Sequence, residues 1–475
     1  MHTKQTKIIC TLAENRCDPE FIRQLIDCGM DVIRLNTAHM DIAVAERIVA
    51  NVRSVSDRVG ILLDTKGPEI RTCNLQNPLH LKTGDQIDIS GLRVPENGVQ
   101  VSYTDFVDEV PVGSRILIDD GLLALLVTQK NGDTLRCTAL NDGEIKNKKG
   151  VNVPGVQLDL PSLTEKDALF IDWATRNPVD FIAHSFVRSR EDVLAIQGIL
   201  DLRHSPIKVI AKIENQEGVT NLESILDVAH GIMVARGDLG IEIPAEEVPG
   251  VQKQMIKTCI RRIKPVITAT QMLQSMVDNP RPTRAEVSDV ANAIYDGTDA
   301  IMLSGETAYG KFPLEAVKMM ADIARTVESQ KESLLSVLPV YQQSADVMPR
   351  NHLAKAAVSC AAALPAKAII TSTSAGRTAR ICASYRGNIP IFALSDQIST
   401  VRQLSLSYGV YSTTIDAPKT TDSELIQICL RKLLTEKCID LNDLIVFVGG
   451  GHIEASQHTN FLQIETVSTL LRQSF

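Results

Sequence analysis

The sequence predicts an α/β protein: a (β/α)8 barrel with a small inserted β-rich lid domain, followed by a C-terminal α/β domain. Three observations predict it. Eight short apolar runs in the first two-thirds of the chain are mostly continuous rather than alternating, as in strands buried on both faces. Helical patterns lie between them. Their ends recur about every 25 to 34 residues, the length of a βα unit. One gap breaks the rhythm, because Asp64 and Ser185 are 121 residues apart.

The predicted barrel strands are Lys7–Leu12, Asp31–Asn36, Gly60–Thr65, Asp180–Ser185, Ile207–Ile213, Gly231–Ala235, Pro265–Thr270 and Asp299–Ser304. Predicted helices include Asp18–Asp27, Asp41–Val55, Glu165–Asn177, Glu191–Asp201, Val251–Arg262, Arg284–Tyr295 and Leu314–Glu328. The long gap holds an insert, residues 69–158, dense in turn signals such as TGD at 83–85, DDG at 119–121 and NGD at 131–133. Such spacing suggests a small β-barrel or sandwich standing as a lid on one barrel loop. Beyond it, runs at Lys367–Thr373, Ile389–Leu394, Val410–Ile415, Leu444–Val448 and Phe461–Val467 predict a mostly parallel α/β domain. The expected division is 1–68 and 159–343 for the barrel, 69–158 for the lid and 344–475 for the last domain. Ser333–Pro349 reads as the linker into it.

Composition narrows the function. The 475 residues carry a net charge of −8, which argues against a nucleic-acid backbone as partner. Aromatics are 4%, with one Trp, so a base-stacking platform is not expected. Ten Cys without CxxC spacing read as reduced thiols rather than a disulfide framework. No signal-peptide pattern is visible, and no apolar run reaches the ~18 residues of a membrane span. The expectation is a cytoplasmic metabolic protein with no membrane partner.

Chemistry in such a barrel sits where strands end. Six of the eight ends carry ionisable or hydroxyl groups. Glu214 and Asp238, from adjacent strands, form a hard oxygen site suited to Mg2+ (or Mn2+). Lys212 lies two residues before Glu214, on the same face of its strand. It can stabilise a transferring phosphoryl group or an enolate, or simply form a salt bridge. Arg34, Lys66 and Arg71 add positive charge to the rim of an acidic protein. Asn36, Asp64 and Thr65 can coordinate a monovalent cation, although turn caps explain them equally well. His39 can touch a nucleotide or be structural, and Lys149 lies in a basic lid segment, IKNKKG at 145–150. In the last domain, TSTSAGRT at 371–378 sits between a strand and a helix. It reads as a phosphate cradle or an ordinary N-capped turn. The GGG at 449–451 follows another strand and can form a second wall.

The segments DTKGPEIRT (64–72), KGVNVPG (149–155), AKIENQEG (211–218), MVARGDLGIEIP (233–244), TATQML (268–273) and RPTRAEVSDVANAIYDGTDAIMLSGET (281–307) resemble the pyruvate kinase family. The resemblance covers nearly the whole chain in the same domain order. It implies a cytoplasmic, allosteric homotetramer that uses Mg2+ and K+ to transfer the phosphoryl group of phosphoenolpyruvate to ADP, giving ATP and pyruvate. By resemblance, Arg34, Lys212, Gly237, Asp238 and Thr270 surround phosphoenolpyruvate, and Glu214 and Asp238 hold Mg2+. Asn36, Asp64 and Thr65 match K+ ligands. Asn36, His39, Arg71 and Lys149 match nucleotide contacts. Ala38 replaces a usual Ser, so one K+ ligand oxygen is missing, while Glu69 matches the acidic residue that accompanies K+ dependence. Thr373, Ser374, Gly376, Arg377 and Thr378 fall on the effector-phosphate loop. Ala375 replaces its middle hydroxyl, so a phosphorylated effector is implied without its identity.

The mechanism expected from this places Lys212 and Arg34 on the phosphoryl oxygens. Thr270, Ser304 and Glu306 orient a water relay that protonates the enolate. A Mg2+-dependent lyase or aldolase barrel would use the same adjacent carboxylates. A non-catalytic metabolite sensor would be expected to have lost Lys212, Glu214 or Asp238, and all three are present.

Overall fold

The computed structural model describes residues 4–331, 348–416, 421–450 and 459–472. Eight parallel strands close into a barrel, and each lies beside its neighbours in sequence. They are Lys7–Leu12, Val32–Asn36, Gly60–Asp64, Phe181–His184, Lys208–Ile213, Gly231–Ala235, Val266–Ala269 and Ala300–Leu303. Alternation along each strand explains the continuous apolar runs. Ile9, Val32, Leu62, Phe181, Ile210, Met233 and Ile267 fill the interior. Their neighbours Ile8, Cys10, Ile33, Ile61, Ile182 and Val209 pack outward under the helices.

Most predicted elements differ from the observed ones only by a residue or a few at their ends. Two differences bear on the site. Thr270 falls outside the seventh strand, because it and Gln271 adopt left-handed conformations with φ of 67° and 54°. Asp238, expected at the end of the sixth strand, lies instead in the first turn of a helix, Arg236–Glu242.

The insert leaves the barrel after Gly60–Asp64 and forms a seven-stranded sheet with a two-stranded ribbon beside it. It has its own core around Ile89, Val99, Phe106, Ile116, Leu125 and Leu135. Its turn signals fall where predicted: Gly84, Gly121 and Gly132 all have positive φ.

The C-terminal sheet has the order Val410–Thr414, Ile391–Ser395, Ala366–Ser372, Leu444–Gly449, Phe461–Thr466, and only the last strand is antiparallel. It docks on the barrel's N-terminal face, opposite the predicted site. Leu406 joins the barrel-interior cluster. The buried Arg386 donates to Asp299 Oδ2 at 2.6 Å and to the Gly297 carbonyl at 2.9 Å. The predicted linker at 333–349 lies almost wholly outside the described residues, as does Gly451 of the glycine run.

Candidate active site

Residues at or near the C-terminal ends of strands two to six converge on one point. Lys212 Nζ lies 3.0 Å from Asp64 Oδ1 and 3.1 Å from Glu214 Oε1, and donates to Ser185 Oγ at 2.6 Å. Burial alone would drive the proton off this ammonium, but the Asp64 and Glu214 carboxylates outweigh it and raise the pKa. Arg34 Nε donates to Asp64 Oδ2 at 2.6 Å, and its NH1 reaches Thr11 Oγ1 at 3.1 Å. Asp64 is 1% exposed. Burial opposes its charge, yet Arg34 and Lys212 pull its pKa below the ordinary carboxylate value.

Glu214 Oε2 accepts the Phe186 amide at 2.6 Å. Asp238, in the first turn of the short helix, is near enough to Glu214 for the two carboxylates to influence each other's charge. Burial raises the pKa of both acids, and each opposes the other's charge or shares its proton. A buried Glu214 and a half-buried Asp238 placed this way fit a hard divalent cation, which would relieve the repulsion.

Gly237 N donates to Thr270 Oγ1 at 2.9 Å, which ties loop six to loop seven. Ser304 is half-buried on the eighth loop. Glu306 turns its carboxylate to the backbone: Oε1 accepts the Leu273 amide at 3.2 Å and Oε2 the Ser304 amide at 2.8 Å. Asn36 Oδ1 accepts the Ala38 amide at 3.2 Å and opens a short turn, Thr37–His39, on which His39 is exposed. Thr65 is buried beside Ser185, whose hydroxyl donates to the Thr65 carbonyl at 2.7 Å. Thr37 donates its hydroxyl to the Asp64 carbonyl at 2.9 Å.

A cavity of about 620 Å3 separates lid from barrel. Glu69, Arg71, Lys149 and Asp238 are among its walls, whereas Asn36 and His39 are not. Both lid cations are paired: Arg71 Nε with Glu69 at 2.7 Å, and Lys149 Nζ with Asp119 at 2.9 Å. The two chain crossings into the lid are pinned from the barrel. Asp167 accepts the Lys66 and Gly67 amides at 2.8 and 3.2 Å. Arg188 donates to the Leu158 and Leu160 carbonyls at 3.0 and 2.7 Å. Gly67 has φ +72°, and a Cβ there would sit 2.6 Å from the Phe186 ring.

Reasoning from strand ends passed over Ser185, Asp167 and Arg188. The same rule applied to the end of the fourth strand would have found Ser185. The other two bind backbone and leave no such signal.

In the last domain, Thr373 Oγ1 accepts the Gly376 amide at 3.0 Å. Gly376, at φ 71°, begins the helix Arg377–Ser384. Ser374 and Arg377 are exposed there, while Thr378 is buried and meets Thr459 Oγ1 at 2.7 Å.

The geometry defines a class: a capped (β/α)8-barrel enzyme with fixed cations around a carboxylate pair, built for a small anionic substrate. Comparison with known proteins names the family. Residues 3–317 match "Pyruvate kinase, barrel domain" and residues 351–465 match "Pyruvate kinase, alpha/beta domain". The chain belongs to the pyruvate kinase family. It is 47% identical over 475 residues to pyruvate kinase of Borreliella burgdorferi, covering 99% of each chain. It is 45% identical to those of Geobacillus stearothermophilus and Bacillus licheniformis, covering 98% of this chain and 81% of each relative.

Proposed function

We propose that the chain transfers the phosphoryl group of phosphoenolpyruvate to ADP, giving pyruvate and ATP. The observation that carries this reading is the largely enclosed Lys212 ammonium, 11% exposed and held between Asp64, Glu214 and Ser185 next to the Glu214–Asp238 pair. A fixed positive charge there, with Arg34, matches the charge spread over the phosphoryl oxygens in transfer.

Each residue has a role. Arg34 and Lys212 bind and orient the phosphoryl group, and Gly237 and Thr270 bound the pocket for the rest of the substrate. Glu214 and Asp238 would hold Mg2+ or Mn2+, which supplies positive charge to the substrate oxygens when bound. Asn36, Asp64 and Thr65 would hold K+. Arg71 and Lys149, with Asn36 and His39, take the nucleotide phosphates and sugar once Glu69 and Asp119 release the two lid cations. Thr270 orients the water relay that protonates the enolate carbon, and Glu306 fixes the loops carrying Ser304 and Leu273. The lid excludes water.

The barrel, lid and C-terminal domains divide as 1–68 with 159–343, 69–158 and 344–475. The protein works in the cytoplasm as a homotetramer, and a phosphorylated effector binds at Thr373, Ser374, Gly376, Arg377 and Thr378. The test is ADP-dependent pyruvate formation from phosphoenolpyruvate with Mg2+, with and without K+. Pyruvate and ATP in equal amounts support the reading. No turnover, even with sugar phosphates or AMP added, would overturn it.

A further inference from the structure

The left-handed backbone at Thr270 and Gln271 needs a cause, because a β-branched residue avoids that region. Arg236 supplies it. Its side chain is 11% exposed and spans the turn. Nε donates to the Ala269 carbonyl at 3.3 Å and NH2 to the Thr270 carbonyl at 2.7 Å. NH2 also meets Met272 Sδ at 2.8 Å, and NH1 pairs with Asp289 at 2.7 Å. A rigid planar fork can hold two successive carbonyls in this way, and a lysine cannot. The next residue, Gly237, gives its amide to Thr270 Oγ1, and that hydroxyl donates to the Ala269 carbonyl at 2.7 Å. Backbone and hydroxyl of Thr270 are thus both set from the first turn of one short helix.

We propose that Arg236 is a positioning residue for proton delivery, acting through Thr270. It holds the hydroxyl against the Gly237–Asp238 turn, so the relay points at the enolate carbon. There a C–H bond forms, the enolate oxygen becomes a carbonyl, and solvent replaces the proton. This rests on the reading of Thr270 given above. Arg236 itself touches no reacting atom in this scheme.

The test compares Arg236→Lys, Arg236→Met, Thr270→Ala and the double variant Arg236→Met/Thr270→Ala. The readouts are kcat, KM for phosphoenolpyruvate, the solvent deuterium isotope effect, and exchange of pyruvate methyl protons into D2O with Mg2+ and ATP. Both Arg236 variants are expected to slow methyl exchange and kcat by about tenfold or more, with KM changed less than about twofold and a larger isotope effect. The double variant should be no slower than Thr270→Ala alone. In a fifth variant, Arg236→Ala, added guanidinium should restore exchange, because Arg236, Gln271 and Asp289 line an opening of about 510 Å3. Arg236→Lys retains a cation for Asp289 and serves if Arg236→Met fails to fold. Additive losses, or a loss confined to KM, overturn the inference and leave the Thr270 reading standing. Wild-type exchange in Thr270→Ala sinks that reading and this inference together.

Discussion

Arg34 and Lys212 share one carboxylate, that of Asp64, with Nε 2.6 Å from one oxygen and Nζ 3.0 Å from the other. Two largely enclosed cations this close would repel without it. Asp64 therefore lets the barrel hold two positive charges side by side at the proposed phosphoryl site.

Lys212→Met is expected to lower kcat by about three orders of magnitude or more, the scale of removing a charge that stabilises a transition state. The fold should persist. Arg34 remains on Asp64, and Glu214, already raised by burial, can take up a proton. The fluorescence of Trp173, the single Trp, which packs against Phe170 beneath the barrel surface, reports the unfolding midpoint. Near-full turnover in the folded variant would remove Lys212 from the proposed role.

Ala38 offers no side-chain oxygen, and the Thr37 hydroxyl is committed to the Asp64 carbonyl. The proposed K+ site is therefore short of one ligand. Turnover should rise with K+, and Ala38→Ser should lower the half-saturating K+ concentration severalfold while leaving KM for ADP unchanged. A K+ titration in a tetraalkylammonium buffer measures both. An unchanged titration in Ala38→Ser would mean that position 38 does not face the ion.

The eight strands were legible because both of their faces are buried, leaving apolar runs such as GIMVA that few other environments produce. The direction of side chains at the rim was not. Spacing puts Glu306 on the rim, but only the packed structure turns it to the Leu273 and Ser304 amides. The helix Arg236–Glu242 was also hidden, because Gly237 and Asp238 are poor helix formers. Tertiary contacts of Arg236 override that preference. The left-handed Thr270 had no local signal at all, since neither Gly nor Asn marks it.

His184 is 1% exposed, and neither ring nitrogen has a hydrogen-bond partner among the described residues. Burial lowers its pKa to about 4. The facing Asp192 and Asp167 oppose that shift, and Lys212 and Arg188 add to it. Between about pH 6.5 and 4 the unfolded chain binds a proton that the folded chain refuses, so stability falls as pH falls. At about 1.4 kcal/mol per pKa unit, the full loss is about 3 kcal/mol. Asp180, pushed up to about 6 by burial, acts in the opposite direction. Only the difference between variant and parent isolates the histidine. His184→Leu should match or exceed the parent in urea midpoint at pH 7, and its advantage should grow at pH 5. Parallel pH profiles for the two proteins would show that His184 titrates normally.

The lid is tied to the barrel by Arg188 at its return crossing and by Asp167 at its outgoing one. Arg188 is itself locked, because its amide donates to Asp192 Oδ2 at 2.8 Å and its carbonyl accepts Asn221 Nδ2 at 2.9 Å. Removing its guanidinium frees two carbonyls at 158 and 160 without opening the barrel core. Arg188→Ala should therefore lower the Trp173-reported stability only modestly, by about 1–3 kcal/mol, as expected for two hydrogen bonds and a loose ion pair with Asp192 lost at a partly solvated site. The lid would sample wider openings, and the population competent to bind nucleotide would fall. KM for ADP should then rise about three- to tenfold, because apparent affinity scales with that population. Limited proteolysis should accelerate near residues 158–162, and saturating ADP should slow it again. If KM for ADP and the cleavage rate both stay at parental values, the Asp167 anchor alone is enough to set the lid's position.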